Sequence, residues 1–337
     1  MLNRTHPTAR KLGATGPATF PLALGCMGMS GMYGQADEAE SIATIHAALD
    51  RGVNLLDTGD FYGSGQNEML IGRALADRRE KAMLSVKFGA LRSPDGGWTG
   101  VDGRPVAVKN FVAYSLKRLG VDHIDIYRLA RLDPQVPIED TIGAIADLVK
   151  AGYVRHIGLS EVGVETIQRA NAVHPIADLQ IEYSLISRGP EASIFPALRE
   201  LGIGVTAYGV LSRGLLSGSR PLGMADYRAH LPRFSAENFE RNLQAVAALK
   251  RLAVERSVTA SQLAIAWVLA KGRDLVPVIG ARTRAQLAES IGAMDLALSA
   301  DELARLEAAI PASAVAGTRY DAFQMSVLDS EKPAKTA

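Results

Sequence analysis

The chain has almost no cysteine: Cys26 is the only one in 337 residues. A single thiol excludes an intramolecular disulfide and a cysteine-based metal cluster. The six histidines also lack the spacing of metal ligands, so we expect no metal. The first residues, MLNRTHPTARKLG, lack the apolar core of a secretory signal. A reducing compartment is compatible with these features, and we expect a cytoplasmic protein.

Long hydrophobic runs and an excess of charge of one sign are missing as well. No apolar run approaches the roughly 20 residues that a membrane-spanning helix needs. Lys and Arg number 37 against 36 acidic residues, a net charge of +1, so nothing favours a nucleic acid or an anionic membrane as a partner. Hydrophobic residues make up 47% of the chain, enough for a large core. We expect a small-molecule substrate; both a monomer and a ring of subunits fit the sequence.

The chain does show a regular alternation of short apolar strands and helical patterns. Strands are predicted at 22–25, 54–57, 83–87, 124–127, 156–159, 179–182, 204–208 and 275–279. Helices are predicted between them, among others at 38–51, 67–76, 106–119, 138–151, 164–174, 191–201 and 284–294. Eight such units predict an α/β protein of the (β/α)8 TIM-barrel class, with its active site at the carboxyl ends of the strands.

Three segments fall outside this alternation, within what we expect to be a single barrel domain over residues 1–337. Residues 10–20, inside the segment 1–21, are predicted to form a hairpin across the bottom of the barrel. Residues 211–235 are rich in Gly, Arg and Pro and are longer than an ordinary connection, as lids and binding loops often are. Residues 311–337 are expected to form a C-terminal loop and a disordered tail. The fingerprint G-x-G-x-x-G of a doubly wound nucleotide-binding fold is absent after the first strand.

The stretch VNLLDTGDFYGSGQNEMLIGR sets a carboxylate, Asp57, and a phenol, Tyr62, at the end of one strand. Tyrosine has a pKa near ~10 and needs a nearby cation to transfer protons at neutral pH. Lys87 ends the next strand, and consecutive strands of an alternating chain usually lie side by side. The three side chains are therefore predicted to meet at one rim. The structural alternative, left open by spacing alone, is that Asp57 caps a turn and Lys87 is a surface lysine.

Several motifs, in order, resemble those of the aldo-keto reductases from about residue 12 to residue 309: LALGCMGMS, LLDTGDFYGSGQNEMLIGRAL, SVKFG, HIDIYRLARLDP, KAGYVRHIGLSEV, LQIEYSL, GVTAYGVLSRGLLSG and VPVIGARTRAQLAES. The resemblance implies that Tyr62 is the general acid or base, that Lys87 and Asp57 tune its phenol, and that a nicotinamide cofactor carries the hydride. It also implies an NADP-dependent oxidoreductase that interconverts aldehydes or ketones and the matching alcohols.

One member of the catalytic group is missing. Where the family usually has His at the end of the fourth strand, this chain has Ala130, which neither donates a hydrogen bond nor holds charge. Three interpretations stay open: a subgroup with a roomier pocket for bulkier carbonyls, a slow enzyme, or an altered site. Arg128 and Ala130, with Trp98 on a turn-rich loop, are the candidates for contact with the substrate; anchoring of its own loop is an equal alternative for Trp98.

The resemblance also implies a cofactor groove along several strand ends. Tyr208 matches the residue that stacks on nicotinamide, and Ser160 and Gln180 match groups that bind its carboxamide. Glu161 stands where many members have Asn, and Cys26 and Met27 follow the first strand at the rim. The pyrophosphate and adenosine positions are Gly209, Leu211, Arg213, Gly214, Gly280, Ala281, Arg282, Gln286, Glu289 and Ser290. Arg282 and Arg284 favour NADP over NAD, which stays as the alternative, unless they are solvated residues at a helix start.

Two other function classes remain open from the sequence. Ala130 is compatible with a regulatory barrel that binds a nicotinamide nucleotide with little or no turnover. A barrel isomerase or lyase without nicotinamide is the third class. The substrate itself and the direction of reaction are not encoded in any motif, because selectivity in this fold comes from its loops.

Overall fold

The computed structural model describes residues 8–224 and 226–332. Eight parallel strands close into a barrel in the order β3, β4, β5, β8, β9, β10, β11, β12 and back to β3. The strands are β1 (Arg10–Lys11), β2 (Ala18–Thr19), β3 (Ala23–Gly25), β4 (Leu55–Gly59), β5 (Met83–Phe88), β6 (Ala90–Arg92), β7 (Trp98–Val101), β8 (Ile124–Leu129), β9 (Val154–Ser160), β10 (Ile176–Glu182), β11 (Gly204–Tyr208) and β12 (Leu275–Gly280). The (β/α)8 barrel predicted from the sequence is confirmed, and each of its eight strands overlaps a predicted one.

Helices surround this barrel. They are α1 (Glu38–Asp50), α2 (Gln66–Ala74), α3 (Pro105–Leu119), α4 (Ile138–Lys150), α5 (Val164–Val173), α6 (Ile194–Leu201), α7 (Ala236–Glu255), α8 (Ala260–Ala270), α9 (Arg284–Gly292), α10 (Ala300–Ala309) and α11 (Ala322–Ser326). The helix predicted at 191–201 begins later than expected, because a 3-10 turn over Gly189–Glu191 precedes it. The helices α7, α8, α10 and α11 were not among those named from the sequence.

The local sequence explains why these elements form and how they pack. In α4, Ile138, Ile142 and Ile145 are buried on one face, and Lys150 lies in the last turn, where a cation is favourable. In the barrel, every residue of β10 is buried, as expected for a parallel strand covered on both faces. The hydrophobic core therefore lies both between the strands and the helices and inside the barrel.

The N-terminal hairpin closes the amino end of the barrel, as predicted. β1 pairs with β2 in antiparallel register. Leu12, at the turn between them, is fully buried and packs with the interior residues Leu55 and Ile126. Arg10 donates hydrogen bonds of 2.5–2.9 Å to three backbone carbonyls, those of Leu269, Gly272 and Leu275. The opposite, carboxyl end of the barrel is left for the loops.

Three loop segments collect at that carboxyl end. β6 and β7 form a small antiparallel hairpin after β5. The connection after β11 contains three 3-10 turns before α7. The C-terminal segment after α10 includes α11 and two 3-10 turns, and the last residues of the predicted tail, 333–337, lie outside the described part of the chain. Among the described helices, none is long and apolar enough to cross a membrane.

Candidate active site

Asp57, Tyr62 and Lys87 meet at the carboxyl rim of the barrel. β4 and β5 are neighbours, and Gly59 is in register with Lys87, so both strand ends reach the same level. The Nζ atom of Lys87 lies 2.6 Å from Oδ1 of Asp57. The same Nζ atom lies 5.3 Å from the centroid of the Tyr62 ring. The predicted convergence of a carboxylate, an ammonium and a phenol is present.

Asp57 is held by more than the lysine. Its Oδ2 atom accepts hydrogen bonds from Ser85 Oγ at 2.9 Å and from Gln180 Nε2 at 2.7 Å. Each of the two carboxylate oxygens therefore has a donor, and the side chain is 7% exposed. Because a buried charge is costly unless it is paired and hydrogen-bonded, this arrangement fixes the charged carboxylate beneath Lys87.

The tight turn after β4 presents Tyr62 to the site. Gly63 and Ser64 both adopt positive φ values, 55° and 53°, and Gly65 follows at 92°. Positive φ favours glycine, and the GSG sequence supplies it at two of the three positions. The turn brings the Tyr62 ring into edge contact with Phe61, with 4.8 Å between the ring centroids.

Electrostatics at this site differ in one respect from the sequence-based expectation. Burial lowers the pKa of Lys87, and the adjacent Asp57 carboxylate opposes this shift. Burial raises the pKa of Tyr62 well above its usual range, and Asp57 adds to the rise while Arg131 opposes it. The direction of this shift in the pKa of Tyr62 is opposite to the acidification by Lys87 that the sequence predicts. The phenol is protonated at neutral pH, which is the form that a general acid requires.

A cavity of about 390 Å³ lies above this group at the carboxyl end of the barrel. Most of the residues proposed from the sequence line it. They are the three catalytic candidates together with Met27, Trp98, Ala130, Ser160, Gln180, Tyr208, Gly209, Leu211, Arg213, Gly214, Gly280, Ala281, Arg282, Gln286, Glu289 and Ser290.

Cys26 and Arg128 do not line the cavity, which corrects two of the proposed site residues. At Cys26 the chain leaves β3 for a 3-10 turn, and the fully buried thiol lies 3.7 Å from the carbonyl oxygen of Leu24. Burial raises the pKa of this thiol, so it is a packing residue. Arg128 lies inside the barrel with no exposed surface, and its Nη2 is 3.0 Å from Oδ1 of Asp178. Alternation along β8 turns it inward and holds it below the rim.

Glu161, proposed to contact the cofactor, is likewise absent from the cavity wall. Its φ of 54° interrupts the strand alternation after Ser160 and directs the carboxylate into the protein. There it pairs with Arg319 at 2.6 Å and accepts a 2.7 Å hydrogen bond from the Tyr208 hydroxyl. Although burial by itself would raise the pKa of Glu161, Arg319 and the other donors hold it far below its usual range. Glu161 therefore contacts the Tyr208 hydroxyl and Arg319 and does not reach the cavity.

Several lining residues were missed by sequence reasoning. The C-terminal segment contributes Tyr320 and Gln324, and the connection after β11 contributes Tyr227 and Arg228. Residues 211–235, which include Tyr227 and Arg228, were expected to form a lid or binding loop, but no motif marks the individual positions in either segment. Arg131 is different, since it directly follows Ala130 and a charged residue at a strand end was visible in the sequence. The remaining missed residues include Phe61, Arg92, Tyr33 and Met32.

The cavity has features that fit a nicotinamide nucleotide. Ser160 is 2% exposed, and in residues 8–224 and 226–332 its Oγ atom finds no hydrogen-bond partner. An unpaired buried hydroxyl is costly unless a ligand satisfies it. Tyr208 lines the same cavity, and its hydroxyl donates a hydrogen bond to Glu161. At the other end, Arg282 and the N-terminus of α9 lie at the wall, where anionic groups are favoured. Arg284, by contrast, pairs with Glu40 at 2.9 Å outside the lining.

The barrel and its Asp–Tyr–Lys group define a class of oxidoreductase. The chain belongs to the aldo/keto reductase family, whose model matches residues 21–311. A protein of Glycine max named "Probable aldo-keto reductase 1" is 41% identical over 318 residues, which is 92% of this chain and 91% of the relative. These findings make the chain an aldo-keto reductase-type oxidoreductase, as the motifs implied.

Solved structures agree with this assignment. The glycerol dehydrogenase of Gluconobacter oxydans matches with a TM-score of 0.81 at 29% identity, covering 91% of this chain and 97% of the other. The holo form of an aldo-keto reductase from Bacillus halodurans matches with a TM-score of 0.73 at 28% identity, with the same coverage.

Proposed function

We propose that the protein transfers a hydride between NADPH and an aldehyde or ketone, or the reverse with a secondary alcohol. When bound, the nicotinamide supplies or accepts the hydride. The observation that carries the proposal is the position of Tyr62: its ring lies against the Lys87–Asp57 pair at the wall of the cavity. A carbonyl in this cavity is within reach of a protonated phenol.

In this proposal each side chain has a separate task. The Tyr62 hydroxyl donates its proton to the carbonyl oxygen, or accepts one from an alcohol. The Lys87 ammonium stabilises the negative charge that the phenol oxygen carries after transfer, and Asp57 keeps that ammonium charged despite burial.

The proposed cofactor contacts use groups that this structure leaves available. Ser160 Oγ has no partner among the described residues and would satisfy the carboxamide, together with Oε1 of Gln180, whose Nε2 is engaged with Asp57. Tyr208 would hold the ring, and Gly209, with its φ of 67°, permits a close approach of backbone to ligand. Arg282 would bind a ribose 2′-phosphate, which favours NADP over NAD.

Absorbance of NADPH, followed with a panel of aldehydes, ketones and secondary alcohols, tests the proposal. Tyr62→Phe should lower kcat by at least about a hundredfold, since a positioned acid contributes roughly 10²–10⁴-fold. The same variant should bind NADPH normally by fluorescence titration. Tyr114→Phe, which alters an exposed tyrosine on α3, is the matched control. Equal turnover in wild type and Tyr62→Phe would exclude the phenol as the acid.

Ala130 supports a second candidate function. This side chain lines the cavity beside the catalytic group and offers no hydrogen bond to a carbonyl. A barrel that binds a nicotinamide nucleotide and signals its presence, with little turnover, has no need of that hydrogen bond. Tight NADPH binding without turnover of any compound in the panel would favour this regulatory function over the enzyme.

A further inference from the structure

Among the described residues that line the cavity, the charged side chains are mostly cationic. Two are acidic, Asp57 and Glu289, and six are basic: Lys87, Arg92, Arg131, Arg213, Arg228 and Arg282. Three of the cations have a carboxylate partner within 3.1 Å, in the pairs Lys87–Asp57, Arg213–Glu182 and Arg228–Asp226. Arg282 lies at the proposed adenosine end. For Arg92 and Arg131, no ion pair within 4.0 Å is found in the part of the chain that is described.

Arg131 is the unpaired cation nearest the chemistry. Its positive charge acts on both Tyr62 and Lys87, whose pKa values are set first by burial. The guanidinium donates a hydrogen bond of 2.7 Å to the carbonyl oxygen of Ala130 and one of 3.1 Å to the hydroxyl of Tyr320. Arginine has five N–H donors, so donors remain for a ligand.

The surroundings of Arg131 also carry excess positive charge. The guanidinium carbons of Arg213, Arg319 and Arg131 lie 4.6, 5.5 and 5.6 Å from the centre of the Tyr320 ring. The buried carboxylates here, Glu161 and Glu182, are engaged by Arg319 and Arg213 respectively. A cation–π contact with Tyr320 leaves the edge of the Arg131 guanidinium free to form hydrogen bonds. An anion is therefore favoured in front of Arg131.

A second unpaired cation lies at the substrate side of the cavity. Arg92, in the small hairpin after β5, lies 5.7 Å from both the Phe61 and the Trp98 ring centroids. It donates one hydrogen bond, of 3.1 Å, to the carbonyl oxygen of Gly96. Aromatic faces hold it in place without neutralising it. A cleft lined by cations attracts anionic ligands over a distance of about one Debye length, roughly 8–10 Å.

We propose that the substrate carries a carboxylate in addition to its carbonyl group, and that Arg131 binds this carboxylate while the carbonyl oxygen faces Tyr62. This inference rests on the proposed function. It explains how a site with alanine at position 130 orients its substrate: the remote carboxylate fixes the molecule, so a second hydrogen bond at the carbonyl is not needed. Guanidinium and carboxylate form a bidentate pair, which fixes direction as well as distance.

The experiment compares two substrates that differ only in charge, 4-carboxybenzaldehyde and its methyl ester, each with NADPH. The wild type should show a kcat/KM about tenfold or more higher for the acid. Arg131→Gln should remove a charge-assisted hydrogen bond and lower kcat/KM for the acid by roughly 10–100-fold, mainly through KM. The ester should be affected much less. Arg131→Lys keeps the charge and should restore part of the preference.

Salt and a surface variant provide the controls. The KM of the acid should rise between 20 mM and about 500 mM salt, because screening weakens the attraction, and the KM of the ester should stay constant. Arg104 is an exposed arginine paired with Asp102, so Arg104→Gln should leave kcat/KM unchanged for both substrates.

The outcomes separate this inference from the proposed function. If the wild type reduces the ester as well as the acid, or if Arg131→Gln slows both equally, the carboxylate site is wrong while carbonyl reduction stands. Equal slowing would instead assign Arg131 to the carbonyl oxygen itself. If neither compound nor any other carbonyl of the panel is reduced, the proposed function fails and the carboxylate site fails with it.

Discussion

Glu161 and Arg319 are 158 residues apart in sequence, and their side chains form a buried ion pair with 2.6 Å between Oε2 and Nη2. The pair ties the end of β9 to the C-terminal segment. Glu161 also accepts a hydrogen bond from the hydroxyl of Tyr208, which lines the cavity. One carboxylate therefore holds both the segment that carries Tyr320 and the ring proposed to contact nicotinamide.

Glu161→Gln should loosen this connection. Loss of the charge leaves Arg319 buried with weaker partners, and breaking a buried pair typically costs about 3–5 kcal/mol. Because Arg319 also contacts Glu331 at 2.8 Å, we expect the lower end of that range in the free energy of unfolding, measured with urea. Glu139→Gln removes an exposed pair with Arg169 and should change little. Equal stability of Glu161→Gln and wild type would mean that the pair does not hold the segment.

The free energy of unfolding should depend on pH through the buried side chain of Asp60. Burial, and then the charge of Glu68, raise its pKa to about 7. Because the folded pKa lies above the unfolded value near ~3.9, the protonated form is favoured by folding, and this contribution is lost as the pH rises through 7. Asp60→Asn should therefore be more stable than wild type at pH 8.5, by a few kcal/mol, and the difference should shrink toward pH 5. Urea unfolding at both values checks this, and a difference independent of pH would contradict it.

Ser160→Ala should have opposite effects on the free protein and on the complex. Its hydroxyl lacks a partner in the described structure, so removing it should leave the free energy of unfolding unchanged or slightly higher. The affinity for NADPH should fall roughly tenfold, since a ligand hydrogen bond is lost. Thermal unfolding with and without NADPH measures both. An unchanged Kd would mean that the hydroxyl does not contact the cofactor.

Arg282→Ala should lower the preference for NADPH over NADH. This side chain lines the cavity, and loss of a contact to the 2′-phosphate should lower the affinity for NADPH by a factor of about 10–100. The affinity for NADH, which lacks this phosphate, should not change. Arg284→Ala is the matched control variant, two residues away. Because Arg284 pairs with Glu40, this variant should leave the Kd of NADPH and the Kd of NADH unchanged. Fluorescence titration with both nucleotides compares them. An equal loss of NADPH affinity in the two variants would mean that the effect comes from the positive charge of the region and not from a contact of Arg282 with the 2′-phosphate.

Ala130→His tests the missing member of the catalytic group. An imidazole at this position fills cavity volume and offers a donor to a carbonyl oxygen. Bulky ketones should be reduced roughly tenfold more slowly, whereas small aldehydes should be reduced several-fold faster. Ala130→Leu fills the same space without a donor, so it should slow the ketones and give no gain with aldehydes. No change with either class would place residue 130 away from the reacting carbonyl.

Much of the candidate site could be predicted from the sequence because it depends on strand ends. Short apolar runs marked the eight strands, and parallel strands carry their last residues to one rim, so Asp57, Lys87 and Tyr208 had to lie on the same side. Glycines after β4 and β11 marked the turns that need positive φ. These signals are local, and each is complete within a few residues.

Only the tertiary structure decided which way individual side chains point and which distant segments arrive at the rim. Cys26, Arg128 and Glu161 lie within two residues of lining residues in sequence, yet barrel packing and a left-handed backbone conformation at Glu161 turn their side chains inward. Tyr320 reaches the cavity because the Arg319 guanidinium is held by Glu161, a contact between residues far apart in the chain. Local periodicity fixes the elements, whereas charge pairing and close packing between distant elements fix the walls of the site.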